Sequence, residues 1–271
     1  MIKFLAKAAF SILGLAMAIP ASAQTLDKIK QRGTITVGVK SDYRPFGYLD
    51  PSGAIVGMEP DLAQDIANRL GVKLELLSVQ TANRIEFLQQ GRIDLMIATM
   101  SDSPQRRQTV GVIDPPYFAG GTAALVLKAA NIRKWEDLRG KSICGTQGAY
   151  YNRPVAQKYG ANIVAFAGVT EALSALLAGS CSGLLQDSTL IGGMLSSGDP
   201  KWSAFEMPLP VEDPQPWVAA VQLAERDGPF GQYIQTIIKD WHKSGKLIEL
   251  EKKWKLAPSE YLHDMHNKAV Q

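Results

Sequence analysis

An α/β fold in two lobes follows from three features of the sequence. Short apolar runs with the two-residue period of strands alternate with segments whose apolar residues return every four positions, as on one face of a helix. At 271 residues, 46% of them hydrophobic and 20% charged, the chain can bury a large core and has length for two lobes. Two short apolar strands distant in the chain, 122–127 and 217–223, can run back beside each other as a two-segment hinge.

The first segment stands outside that fold. Residues 1–23 carry Lys3 and Lys7, a twelve-residue apolar stretch before Pro20, and the small-x-small triplet Ala21-Ser22-Ala23. This is the pattern of a cleaved signal peptide, leaving a mature chain from Gln24; as a membrane anchor the stretch falls short of the ~18 apolar residues that a span needs. Cleavage lowers Lys plus Arg from 29 to 27 against 26 acids, so the formal charge drops from +3 to +1. That balance argues against nucleic acid or an anionic membrane as partner. An exported chain of this kind is placed in a bacterial periplasm, where the only cysteines, Cys144 and Cys181, form a disulfide or stay as two buried thiols.

Residues 26–32 read as a short helix stopped by Gly33, and 34–39 as a strand. The strand ends in a loop, Lys40 to Tyr48, with two cations, several aromatics and Pro45, which is binding-loop chemistry at a strand's carboxyl end. Tyr43 is the ring placed to cover a ligand and Phe46 a core aromatic. A turn at 50–53 joins two hairpin arms, and Glu59-Pro60-Asp61 opens a helix that Gly71 closes. After a strand at 72–79, Thr81 or Asn83 caps a helix bearing Ile85 and Leu88. Arg84 falls at the joint between strand end and helix start, where it meets a bound anion or pairs with Glu86 or Asp94.

The stretch Gly91 to Arg107 passes from turn to buried strand (93–98), to the small polar loop Thr99-Met100-Ser101-Asp102-Ser103, to Arg106 and Arg107. Ligands of open α/β sheets sit outside the carboxyl ends of strands, and an arginine there offers a planar fork that fits a carboxylate; a solvated helix start is the other reading. Asp114-Pro115-Pro116 is a stiff linker into the 122–127 strand. Then come a helical turn at 135–138, a strand at 141–145, and Thr146 to Tyr150, a loop in which Gly148 lets backbone N–H groups approach an anion, although the phosphate-loop pattern is absent. A strand at 162–166, a helix at 170–178 with Thr170 as cap, and a strand at 183–186 follow. The last ends in Asp187, which accepts from a substrate ammonium or caps the next helix. Cys181 between Gly179 and Gly183 copies the outline of a nucleophile elbow but precedes a strand instead of following one, so no catalytic cysteine is assigned. A helix from 229 to 244, a break at Gly245 and a lysine-rich helix at 248–254 complete the pattern, with His263 and His266 three apart on a tail helix.

These residues resemble the periplasmic solute-binding proteins of polar amino acid ABC transporters, the bacterial extracellular family 3 type. The resemblance spans the mature chain: Tyr43-Arg-Pro-Phe-Gly-Tyr48, Val56-Gly-Met-Glu-Pro-Asp-Leu-Ala63, Gly91-Arg-Ile-Asp94, Thr99 to Arg106, Asp137-Leu-Arg-Gly-Lys141 and Leu185-Gln-Asp187. It implies the two-lobed periplasmic-binding-protein type II fold with two crossover hinge strands, residues 24–121 and 219–271 in one lobe and 122–218 in the other. It also implies that Arg106, Thr99 and Ser101 take an α-carboxylate, that Asp187 takes the α-ammonium and that Tyr43 covers the ligand. Met100, Thr146 and Gly148 complete the ligand-binding set. Thr81 to Ile85 is similar to the Asn-Arg-Ile run of the glutamate- and aspartate-binding branch, which gives Arg84, with Lys40, the distal carboxylate.

The implied protein is a monomer without cofactor that delivers its ligand to a membrane permease. Ala149-Tyr150 and Gln215-Pro216-Trp217 depart from that branch. Two other classes fit the same outline: a cyclohexadienyl dehydratase-like enzyme, with Glu86 or Asp102 as general acid, and a ligand-sensing or adhesive module.

Overall fold

In the computed structural model, which describes residues 25–271, the β-branched residues of Thr34–Val39 form strand β1 with Ile35, Val37 and Val39 buried. The proposed signal segment, residues 1–23, lies outside the described residues. Helix α1 (Thr25–Arg32) precedes β1, and β2 (Asp42–Tyr43), β3 (Gly47–Leu49) and β4 (Ile55–Val56) make a small antiparallel sheet around the expected turn. Helix α2 (Met58–Leu70) buries Leu62, Ala63 and Ile66 on one face and ends at Gly71, whose φ of 68° is the left-handed cap that a Cβ would oppose. Strand β5 (Lys73–Ser78), helix α3 (Arg84–Gln89), strand β6 (Leu95–Met96) and the short helix α4 (Pro104–Arg107) follow.

Strand β7 (Gly111–Leu127) then crosses the molecule. Beyond it lie β8 (Ser142–Thr146), α5 (Asn152–Tyr159), β9 (Asn162–Phe166), α6 (Val169–Leu177), β10 (Gly183–Asp187), α7 (Ser188–Ser196) and β11 (Phe205–Glu206). Strand β12 (Glu212–Val221) crosses back to α8 (Pro229–Ser244), α9 (Lys246–Lys253) and α10 (Glu260–Val270). The sheet order is β5-β1-β6-β12-β7-β10-β8-β9, with β11 also on β7. β1 runs parallel to β5 and β6, and β8 runs parallel to β9 and β10. The antiparallel pair β7 and β12 joins these two parallel halves. The carboxyl ends of β1, β6, β8 and β10 therefore supply the loops that surround a cleft between two lobes.

Each half packs around apolar cores. One gathers Ile35 and Val37, Leu62 and Ile66, Phe118, Trp217, and Ile234, Ile238 and Trp241 of α8. A second core of the first half gathers Val79, Leu88, Met96, Val112 and Val218, and the second half has Trp135, Ile143, Tyr159 and Leu185 on one face and Cys144, Leu176, Leu184 and Ile191 on the opposite face.

Several local expectations are corrected. Asp114-Pro115-Pro116 is no separate linker but part of continuous β7. The ladder to β12 shifts register between Trp217 and Ala219, so the two prolines fall where no N–H is needed. The Pro116 carbonyl instead accepts from Tyr261 Oη at 2.9 Å and meets His242 Nε2 at 2.8 Å. Ile93 and residues 95–98 are buried, but only Leu95–Met96 pair as strand. Asn83 does not cap α3; its Oδ1 accepts from Gln80 N at 2.9 Å. Thr170 does not cap α6 either, because the helix starts at Val169 and its first N–H donates to Asp42 Oδ2 of the other half, at 2.8 Å. On α10, His266 Nδ1 meets the His242 carbonyl at 2.7 Å, and His263 faces Glu251.

Cys144 at the centre of β8 and Cys181 ahead of β10 are disulfide-bonded, 37 residues apart in sequence. A loop of that size restricts the unfolded chain by about 3 to 4 kcal/mol. Reduction, or Cys144→Ser with Cys181→Ser, is expected to lower the unfolding free energy by about that amount in denaturant titrations, and unchanged midpoints would show that the bond does not stabilise this lobe.

Candidate functional site

The carboxyl end of β10 turns into α7 at Asp187, a residue only 6% exposed. Its side chain does not cap α7; Oδ2 accepts from Tyr43 Oη at 2.7 Å, across the cleft from β2. Oδ1 has no donor in hydrogen-bond geometry, although the Trp217 indole lies close enough to favour the charged form. Burial raises the Asp187 carboxyl to about 6, against the pull of Tyr43, Arg84 and Arg106 towards ionisation.

Opposite stands the loop after β6. Thr99 adopts a left-handed backbone, φ 48°, and its N–H is held by Glu59 Oε1 at 2.6 Å and Tyr117 Oη at 3.0 Å. Arg106, half-buried, donates to the Ser101 carbonyl at 2.6 Å and to Ser101 Oγ at 3.1 Å, and reaches the Gly148 carbonyl of the other half at 3.3 Å. Ser103 Oγ accepts from Arg106 N at 3.2 Å and fixes the start of α4. Arg84 is buried; its guanidinium donates to the Ala98 carbonyl, its Nε has no partner, and burial with the nearby Arg106 charge lowers its pKa to about 10.

Tyr43, Thr81, Arg84, Thr99, Ser101, Ala149, Tyr150, Tyr151, Gln186 and Asp187 line one cavity of about 10 Å³, room for about one water. An amino acid can be admitted only if these walls separate. Of the sequence-derived site residues, Tyr43, Arg84, Thr99, Ser101 and Asp187 are brought together on this cavity. Arg106 stands beside it through Ser101. Thr146 is buried beneath it, accepting from Gln186 Nε2 at 2.7 Å, while Gln186 Oε1 accepts from Tyr151 Oη at 2.5 Å. Gly148 forms the rim at φ 76°, where an added Cβ would come within 3.1 Å of Ala82 Cα on the facing half.

Met100 turns its side chain into the core with Val112 and Val218. Lys40 is wholly buried but does not line the cavity; it pairs with Asp42 Oδ1 at 2.9 Å, and burial lowers its pKa against that pairing. The residues nominated as general acids lie elsewhere: Glu86 bonds Gln90, and Asp102 holds Arg107. The sequence reading missed Thr81, Ala149, Tyr150, Tyr151 and Gln186 as cavity residues and Glu59 beneath Thr99. Tyr150-Tyr151 following a glycine at a strand end was the one visible signal.

The fold and cavity define a two-lobed binding protein for a small solute. The model of the bacterial extracellular solute-binding proteins, family 3, matches residues 35–257, and the chain belongs to that family. It is 30% identical to the ABC transporter glutamine-binding protein GlnH of Bacillus subtilis, over 85% of this chain and 84% of that protein. It is 28% identical to the L-glutamate/L-aspartate-binding protein of Pseudomonas aeruginosa, over 86% and 80%. Among solved structures, a mutant of the ArgBP of T. maritima superposes with a TM-score of 0.78 at 30% identity, covering 85% of this chain and 99% of that one. Similar proteins are thus named for ligands of different side-chain charge.

Burial also raises Glu59 from 4.5 to about 7, although Tyr117, Thr99 N, Arg84 and Lys40 favour its charged form. A carboxyl whose pKa is raised on folding gives stability that is complete below the unfolded carboxylate range and lost as pH rises through the folded value. Unfolding free energy is therefore expected to fall between about pH 5 and pH 8, by on the order of 2 to 3 kcal/mol for Glu59. Glu59→Gln should flatten the upper part of that slope in denaturant melts, and stability rising towards pH 8 would contradict it.

Proposed function

We propose that the protein captures an acidic L-amino acid, glutamate or aspartate, between its lobes and hands it to the membrane permease of an ABC transporter. In this reading Arg106, Thr99 and Ser101 take the α-carboxylate, Asp187 the α-ammonium, and Tyr43 covers the ligand. Arg84 receives the distal carboxylate. The observation that carries it is the pairing of a carboxylate with one unpartnered oxygen, Asp187, against a guanidinium on the other wall of one cleft. A zwitterion supplies both missing charges.

The acidic preference rests on Arg84 alone, because Asp42 already neutralises Lys40. A buried guanidinium with an unpartnered Nε favours a ligand arm ending in an acceptor, and opposes one ending in another guanidinium. The lobes are taken as 24–121 with 219–271, and 122–218, hinged where β7 and β12 cross. Ligand meets the open first lobe, the second brings Asp187, and the Tyr43–Asp187, Asp42–Val169 and Arg106–Gly148 contacts hold the closed form, which presents one face to the permease. The reading includes export through the N-terminal segment and a monomeric protein without cofactor.

Calorimetry with glutamate, aspartate, glutamine and arginine is expected to rank an acidic ligand first, at micromolar or better affinity, about −8 kcal/mol or stronger; a preference for arginine would defeat the assignment of Arg84. Arg106→Ala is expected to cost roughly 3 to 5 kcal/mol, since it leaves a carboxylate without its partner. A loss of less than tenfold would remove Arg106 from the site.

A further inference from the structure

Glu59 sits at the first turn of α2, fully buried, yet it neither lines the cavity nor bonds a residue of its own helix. One oxygen, Oε1, is saturated: it accepts from Thr99 N at 2.6 Å and from Tyr117 Oη at 2.5 Å. The other, Oε2, has no partner. The charges that face it are Arg84 of α3 and Lys40 beyond β1, and Tyr117 of β7 is the titratable donor. Lys40 is engaged by Asp42, so Arg84, itself carrying an unpartnered Nε, is the cation left to balance either Glu59 or a ligand carboxylate.

From this geometry we infer that Glu59 is a positioning and specificity-determining residue that ties recognition of an acidic ligand arm to uptake of one proton. The inference rests on the proposed role of Arg84. When a second carboxylate approaches Arg84, two anions share one guanidinium in a water-poor site, and ionised Glu59 opposes the ligand. A proton taken from solvent onto the free Oε2 removes that conflict, while Oε1 keeps its hold on Thr99 and so on the left-handed turn that presents the Thr99 hydroxyl. An amide arm brings no charge and leaves Glu59 ionised against Arg84. The same pocket is thus set for an acid when Glu59 is protonated and for an amide when it is not. The Glu59 carboxyl titrates at about 7 and Arg84 at about 10, so the exchange falls within a range where Arg84 remains charged.

The test is calorimetry of the full mature chain with L-glutamate and L-glutamine from pH 6 to 8.5, in buffers of different ionisation enthalpy. Glutamate affinity is expected to fall by up to about tenfold per pH unit above about pH 7, with close to one proton taken up per ligand at pH 8. Glutamine, which carries the same α-ammonium and α-carboxylate, should show neither effect. Glu59→Gln should abolish the uptake and the alkaline decline while retaining glutamate binding at pH 8. Should that variant fail to fold, the proton count on the unmodified protein decides alone. Glutamate binding with no uptake and no decline would overturn the role of Glu59 and leave the acidic assignment standing. Absence of glutamate binding at every pH would overturn both.

Discussion

Burying a carboxylate with only part of its hydrogen-bonding capacity satisfied costs several kcal/mol unless something else supplies the missing donor or charge. Asp187 is in that position: Tyr43 reaches one oxygen from the opposite lobe, and the other meets no donor in good geometry. The arrangement makes sense only in a molecule whose two halves meet at this point. Tyr43 is in turn packed edge-on against Phe46 and Trp217, with ring centroids 6.3 Å apart in each case, so the hydroxyl that touches Asp187 is aimed by the aromatic core around it.

Around that carboxylate the charges are arranged in near balance. Lys40 is held by Asp42, and Asp42 spends its other oxygen on the first N–H of α6, so a cation that might have met ligand belongs instead to the closed contact between lobes. Arg106 is fastened by Ser101 yet reaches Gly148 across the cleft. Arg84 on the cavity wall and Glu59 beneath Thr99 each have one polar atom unpartnered.

The two crossing strands join the two walls of the cleft. β7 and β12 pair antiparallel between the two parallel halves, each also antiparallel to its outer neighbour, and they carry Trp217 at the point where their register shifts. The cores follow the halves only in part, since Val169 and Leu190 of the second half pack into the core of the first.

Local rules were enough for the elements themselves. The β-branched run at 34–39, the strand at 162–166, and helices closed by Gly71 and Gly245 lie where period and cap chemistry place them, since these depend on neighbours a few residues away. The chemistry of the cleft walls was legible too: Arg84, Thr99, Ser101 and Asp187 each stand at a strand's carboxyl end, as the topology of an α/β sheet requires. What the sequence could not hold was pairing across distance. That Lys40 is neutralised by Asp42, that Val169 finds its cap on the other lobe, that Met100 turns into the core and that Glu59 holds Thr99 from 40 residues away are outcomes of packing. A buried charge is defined by whatever the fold brings beside it, and only the tertiary structure fixes that neighbour.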